Sequence, residues 1–225
     1  MRFAALGLAL WAAPALGCDP STLSAPRAPT IDGVLTPGEW QMARVVPLAG
    51  GGELLVLPAG DSLFVAVHAE SRGIAHLCVA DGEEIAVLHA SAALGAARYA
   101  ASESGWRLRE GFTWELRDTL RVDPPTVGEL NAFFATHGWV ANPNGSGTPL
   151  REFRIECSGE VLDLAAAHLD VASGKVSLAG ATAADGCGDL NLVRGNPPPL
   201  LVFEPESWLR VECPAPHVYD EGADS

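Results

Sequence analysis

Residues 53–91 read ELLVLPAGDSLFVAVHAESRGIAHLCVADGEEIAVLHAS. Short apolar or alternating runs stand at 53–57, 62–69, 74–80 and 84–91. Turn residues punctuate them: Pro58-Ala59-Gly60-Asp61 after the first, Asp81-Gly82-Glu83 between the last two. The second is a hairpin signal, because glycine tolerates the positive φ of a tight turn. Similar runs follow at 96–101, 106–109, 112–117, 131–141, 150–157, 161–166, 168–172, 175–179, 189–193, 200–203 and 208–212. An Asn/Gly-rich turn, 142–147, joins 131–141 to 150–157. Helical periodicity is scarce; the exception is Thr126 to Ala132, after Pro124-Pro125. Strands spaced about ten residues apart with turns between them predict an all-β fold, a single antiparallel β-sandwich of immunoglobulin-like architecture.

Outward from this stretch, the N-terminus has a different character. Residues 1–17, MRFAALGLALWAAPALG, place Arg2 before an apolar run, with small residues Ala15 and Gly17 ahead of Cys18. That is the layout of a secretory signal peptide. Its apolar run is shorter than the roughly 20 residues a bilayer span needs. Two cleavages fit. A signal peptidase would free a secreted chain, or Ala15-Leu16-Gly17-Cys18, which resembles a lipobox, would leave Cys18 as a lipidated first residue. The second is favoured, because 18–28 then reads as a tether of proline and small polar residues. The expected division is signal peptide 1–17, tether 18–28, sandwich domain 29–213 and acidic tail 214–225.

Export permits disulfides. With Cys18 set aside, Cys78, Cys157, Cys187 and Cys213 form an even set. Four cysteines allow three connectivities. Cys187 and Cys213 flank one strand-like segment, so Cys187–Cys213 with Cys78–Cys157 is the expected pairing. The 225 residues carry 28 acidic and 14 basic side chains, a net charge of -14. That balance argues against nucleic acid and against electrostatic docking on anionic lipid, leaving a lipid anchor as the route to a membrane.

The segment 29–43, PTIDGVLTPGEWQMA, resembles the opening of family 9 carbohydrate-binding modules and the wider DOMON-like superfamily. Ile31, Asp32, Gly33, Gly38, Glu39, Trp40 and Ala43 carry the likeness. Residues 61–67 look like the strand that follows, and 111–117 look like a later strand bearing a glutamate, here Glu115. The resemblance implies a DOMON-like β-sandwich whose relatives bind sugars and, in some branches, haem. Trp40 itself reads as a core residue.

Catalytic signatures are absent: there is no GxSxG, HExxH, GxxxxGK[ST] or GxGxxG. A non-catalytic carbohydrate-binding domain is expected, with an envelope interaction lipoprotein as the alternative. Sugar faces stack on aromatic rings, and polar side chains bond their hydroxyls. Trp139, near the Asn/Gly turn, and Trp208, at a strand start, are the leading ring candidates, followed by Trp106. Asn142, Asn144 and Arg151 are the polar candidates, and Trp114 reads as core. No cofactor is required. Calcium is a candidate at Asp81-Gly82-Glu83-Glu84 and Asp185-Gly186-Cys187-Gly188-Asp189. Haem would draw on Met42, His68 or His137, whose spacing shows no ligand pattern.

Overall fold

A computed structural model describes residues 27–119, 123–157 and 161–213. The signal segment, Cys18, the tether up to residue 26 and the acidic tail lie outside the described residues. The strands are β1 Arg44–Pro47, β2 Glu53–Ala59, β3 Ser62–Asp81, β4 Glu84–Ala90, β5 Leu94–Ser102 and β6 Gly105–Glu110. After helix α1, Val127–His137, come β7 Trp139–Ala141, β8 Thr148–Glu156, β9 Val161–Asp170 and β10 Val176–Ala179. Helix α2, Leu190–Val193, precedes β11 Leu200–Leu201 and β12 Leu209–Glu212. Every strand pairing is antiparallel.

The sandwich is organised by β3, which serves two sheets. Its first half, Ser62 to His68, lies between β2 and β8. Its second half, Gly73 to Asp81, lies between β9 and β4. The ladder breaks between His68 and Gly73. Gly73 is required there, because a Cβ would collide with the Leu169 carbonyl and the His168 ring. The first sheet therefore runs β1-β2-β3-β8-β7. The second runs β9-β3-β4-β5-β6-β11, with β10 and β12 both paired to the far side of β9.

Strand alternation sorts the side chains. Leu54, Val56, Leu63, Val65, Val67 and Phe153 of the first sheet face Leu77, Val79, Leu88, Leu162 and Leu164 of the second, and together they form the main core. The outer faces are covered as well. Residues 31–43 lay Ile31, Leu35 and Trp40 over Leu55, Leu57, Phe64 and Ala66. On the other side, Cys187, Leu192, Phe203 and Trp208 cover Cys78, Ile85, Val87, Tyr99 and Ala165. Burial on both faces explains why β2 reads as a continuous apolar run.

Several elements depart from the sequence reading. The runs 62–69 and 74–80 are one strand, and 161–166 with 168–172 are another. The expected strand 131–141 is mostly helix. A capping box between Thr126 and Glu129 starts α1, and Gly138, at φ 69, ends it. Residues 189–193 form α2 because the Asp189 carboxylate accepts from the Asn191 and Leu192 amides. Residues 112–117 pair with the sheet through a single bridge, Leu94 to Glu115.

The expected disulfide pairing is also corrected: the bonds are Cys78–Cys187 and Cys157–Cys213. Cys78 points to the outer face of β3, where residues 181–208 lie, and its Cα is 6.1 Å from that of Cys187. Cys157 follows β8 and Cys213 follows β12, and their Cα atoms are 5.7 Å apart. Nearness in sequence misled, because the segment between Cys187 and Cys213 crosses from the outer cover back into the sheet. Each bond closes a long loop and contributes on the order of 4 kcal/mol.

Candidate functional site

The six residues expected to bind sugar do not converge. Trp208 is 6% exposed, and its Nε1 donates to Asp185 Oδ2 at 2.9 Å. Trp106 is half-buried edge-on to Phe203, under the same cover. Asn142 is buried; its Oδ1 accepts from the Glu152 amide at 2.6 Å and its Nδ2 donates to the Leu150 carbonyl at 3.4 Å. Asn144 folds its own turn, accepting from the Ser146 amide and hydroxyl. Arg151 is 1% exposed and donates to the carbonyls of Asn142, Gly73 and Asn144 at 3.0, 3.1 and 3.2 Å. Its work is to tie the 142–147 turn to the break in β3. Burial holds its guanidinium down at about 10.

Trp40 is a core residue, as expected. Its Nε1 donates to Glu152 Oε1 at 3.2 Å. The amides of Asp32 and Gly33 donate to Glu152 Oε2 at 3.0 and 2.7 Å. The Asp-Gly and Glu-Trp parts of the opening motif thus meet on one buried carboxylate. Burial pushes that carboxyl up to about 7, while the N–H donors pull the other way.

Of the six, Trp139 lines the main cleft. It is 4% exposed, and its ring lies edge-on to Phe133, 5.2 Å between centroids. The cleft holds about 600 Å³, and Arg98, Glu110, Thr113, Glu115, His137 and Trp139 are among its walls. A second recess of about 230 Å³ shares Arg98, His137 and Trp139 with it and continues toward Glu84 and Glu156. The space exists because the sheets are unequal. The first sheet ends at the three residues of β7, whereas the second continues through β5 and β6. Helix α1 packs beside β7 and stands where another strand would have closed the sandwich.

The polar groups of the cleft are held in place. Arg98 follows Leu94 and Ala96 on the inward face of β5, and its guanidinium pairs with Glu84 and, at 3.7 Å, with Glu110. His137, in the last turn of α1, lies 3.4 Å from Glu115 Oε1 and 4.3 Å from the Phe133 ring centre. Trp40 and Trp208 each spend their indole N–H on a buried carboxylate. The Trp139 indole has no hydrogen-bond partner among the described residues. Glu115 was singled out by the resemblance. Arg98, Glu84 and Glu110 were not, although a charge on the apolar side of an alternating strand is a readable signal.

Three of the candidate calcium carboxylates, Asp185, Asp189 and Glu84, are engaged within the protein. Asp185 accepts from the Cys187 and Glu204 amides as well as from Trp208, and Asp189 caps α2. Glu84 is committed to Arg98. His76, Cys78 and Cys187 cluster closely, but both sulfurs are in the disulfide and His76 Nε2 lies 2.7 Å from the Cys187 carbonyl. Burial brings His76 down to about 4 and His89 to about 3, so both rings are neutral. Met42 is exposed, and His68 and His137 face Glu53 and Glu115 on different elements.

No protein-family model, no curated protein and no solved structure matches this chain. The fold stands as a mostly-β, antiparallel sandwich with two disulfides, a state compatible with an exported protein. Among the described residues, no helix is long and apolar enough to cross a membrane.

Proposed function

We propose that this chain is an exported, non-catalytic domain that binds carbohydrate in the cleft between the unequal sheets, and that Cys18 anchors it to an envelope membrane through lipid. The observation that carries the reading is the unpaired Trp139 N–H in a cleft whose other walls offer fixed polar groups, Arg98, Glu110, Glu115 and His137. A saccharide needs such a mixture: an arginine and carboxylates for its hydroxyls, apolar ring edges for its C–H faces, and an indole donor for a ring or hydroxyl oxygen. The likeness of residues 29–43 to family 9 carbohydrate-binding modules supports it, as does the position of Glu115. The binding residues differ from those expected from sequence; Trp139 is the one in common.

A glycan-array screen of the oxidised mature chain tests this. Dose-dependent binding that weakens about tenfold or more in Arg98→Ala is expected, since hydrogen bonds to a charged group contribute about 1.5–3 kcal/mol. A blank array from folded protein would overturn the reading. It would favour the envelope-interaction alternative, for which Val34, Met42 and Val45 offer exposed apolar side chains on the first cover and edge strand β1.

A further inference from the structure

This inference rests on the cleft being a saccharide site, and it names the class of saccharide. We propose that the preferred ligand is an amino sugar whose unacetylated amine sits among the carboxylates at the cleft mouth. Glu110 and Glu115 line the larger recess and Asp81, Glu84 and Glu156 the adjoining smaller one, against a single arginine, Arg98, on both. The whole chain carries only two acids per basic residue, 28 to 14, so the cleft is more one-sided than the molecule.

Arg98, shared between Glu84 and Glu110, and His137, 3.4 Å from Glu115, offset only part of this excess. Asp81 and Glu156 make no ion pair among the described residues. Walls of one sign beside a low-dielectric interior concentrate the opposite charge. A cation alone would answer the carboxylates, but it would leave the indole N–H of Trp139 unpaired. The ring lines the same cleft with its N–H still open to solvent, and a ligand that covers it must supply an acceptor oxygen. A neutral sugar supplies the oxygen and leaves the carboxylates unanswered. An amino sugar supplies both on one small ring.

Calorimetry on the oxidised mature chain separates the cases. The probes are a glucosamine oligosaccharide, its N-acetylated form, a neutral glucose oligosaccharide of equal length and a short oligolysine. The glucosamine form should bind about tenfold or more tightly than the other two sugars, the sum of two or three exposed ion pairs. Its advantage should shrink as salt is raised, and oligolysine should bind less well. Glu110→Gln is a change at an exposed side chain, and with Glu115→Gln it should erase the preference while the melting curve stays cooperative. Equal binding of glucosamine and neutral sugars would overturn the amine preference and leave the saccharide reading standing. Equal binding of oligolysine and glucosamine would also overturn it, by reducing the effect to net charge. Failure of every sugar would overturn the saccharide reading itself.

Discussion

Each sheet of this sandwich wears an irregular cover, and the two covers are fastened by the same chemistry arranged in opposite ways. On the first sheet, the tryptophan is in the cover and the acid is in the strand: Trp40 and the Asp32 and Gly33 amides all reach to Glu152 on β8. On the second sheet, acid and tryptophan are both in the cover. Asp185 gathers Trp208, Cys187 and Glu204, and the Cys78–Cys187 bond then ties the assembled piece to β3. The first cover is therefore packed on its sheet through Ile31, Leu35 and Trp40 and hydrogen-bonded to it through a single carboxylate, without a disulfide among the described residues. The second is organised by a carboxylate and held by sulfur. One buried acid has to dock a segment, the other only has to shape it.

That contrast can be broken at either end. Opening the second cover's tie with Cys78→Ser and Cys187→Ser should cost about 4 kcal/mol in urea unfolding, because the closed loop is long. Limited proteolysis should then begin within 181–208. Glu152→Ala should cost about 4 kcal/mol as well, since it strands three donors in or near the core. Its early cleavage should fall in 31–43, and cleavage in the other cover would contradict the division of labour.

A pH series sharpens the comparison. The Glu152 carboxyl is raised from 4.5 in the unfolded chain to about 7 in the fold. Between those values the folded protein holds more protons, so this group's contribution is complete below pH 4.5 and is lost as pH rises through about 7. The stability of the native chain minus that of Glu152→Gln should fall by about 3 kcal/mol over that range. A flat difference would mean that the three N–H donors fully offset burial. The smallest effect belongs to Asp185→Asn, about 2 kcal/mol, because the disulfide keeps the cover seated while one oxygen acceptor is lost.

The strands were legible where alternation and turn chemistry agreed. The β3–β4 hairpin at Gly82, with φ 61, follows directly from Asp81-Gly82-Glu83. They were misread where a local signal had a nonlocal purpose. Gly73 looks like the end of a strand, yet it lets one strand pass from sheet to sheet. The Thr126-Glu129 capping box was readable, but the apolar run after it resembles a strand as much as a helix. The site was harder still. Trp139 and Trp208 look alike in sequence, and what separates them is whether a buried acid happens to stand within reach of the indole. That acid, Asp185, is 23 residues away from Trp208. The cleft itself depends on β7 stopping after three residues, which only the assembled sheets reveal.

The double service of β3 also sets an order of events during synthesis. Two of its four partners, β2 and β4, are its immediate neighbours in the chain. The other two, β8 and β9, are made from residues 148–170. A growing chain that has produced only its first hundred residues can form the meander but must leave each half of β3 open along one edge, the β8 edge of the first half and the opposite, β9 edge of the second. An open, apolar strand edge is a template for pairing with other chains. Passage from ribosome to folded state is safest when something shields that edge until residue 170 arrives, and the long-range pairings make the final closure slow.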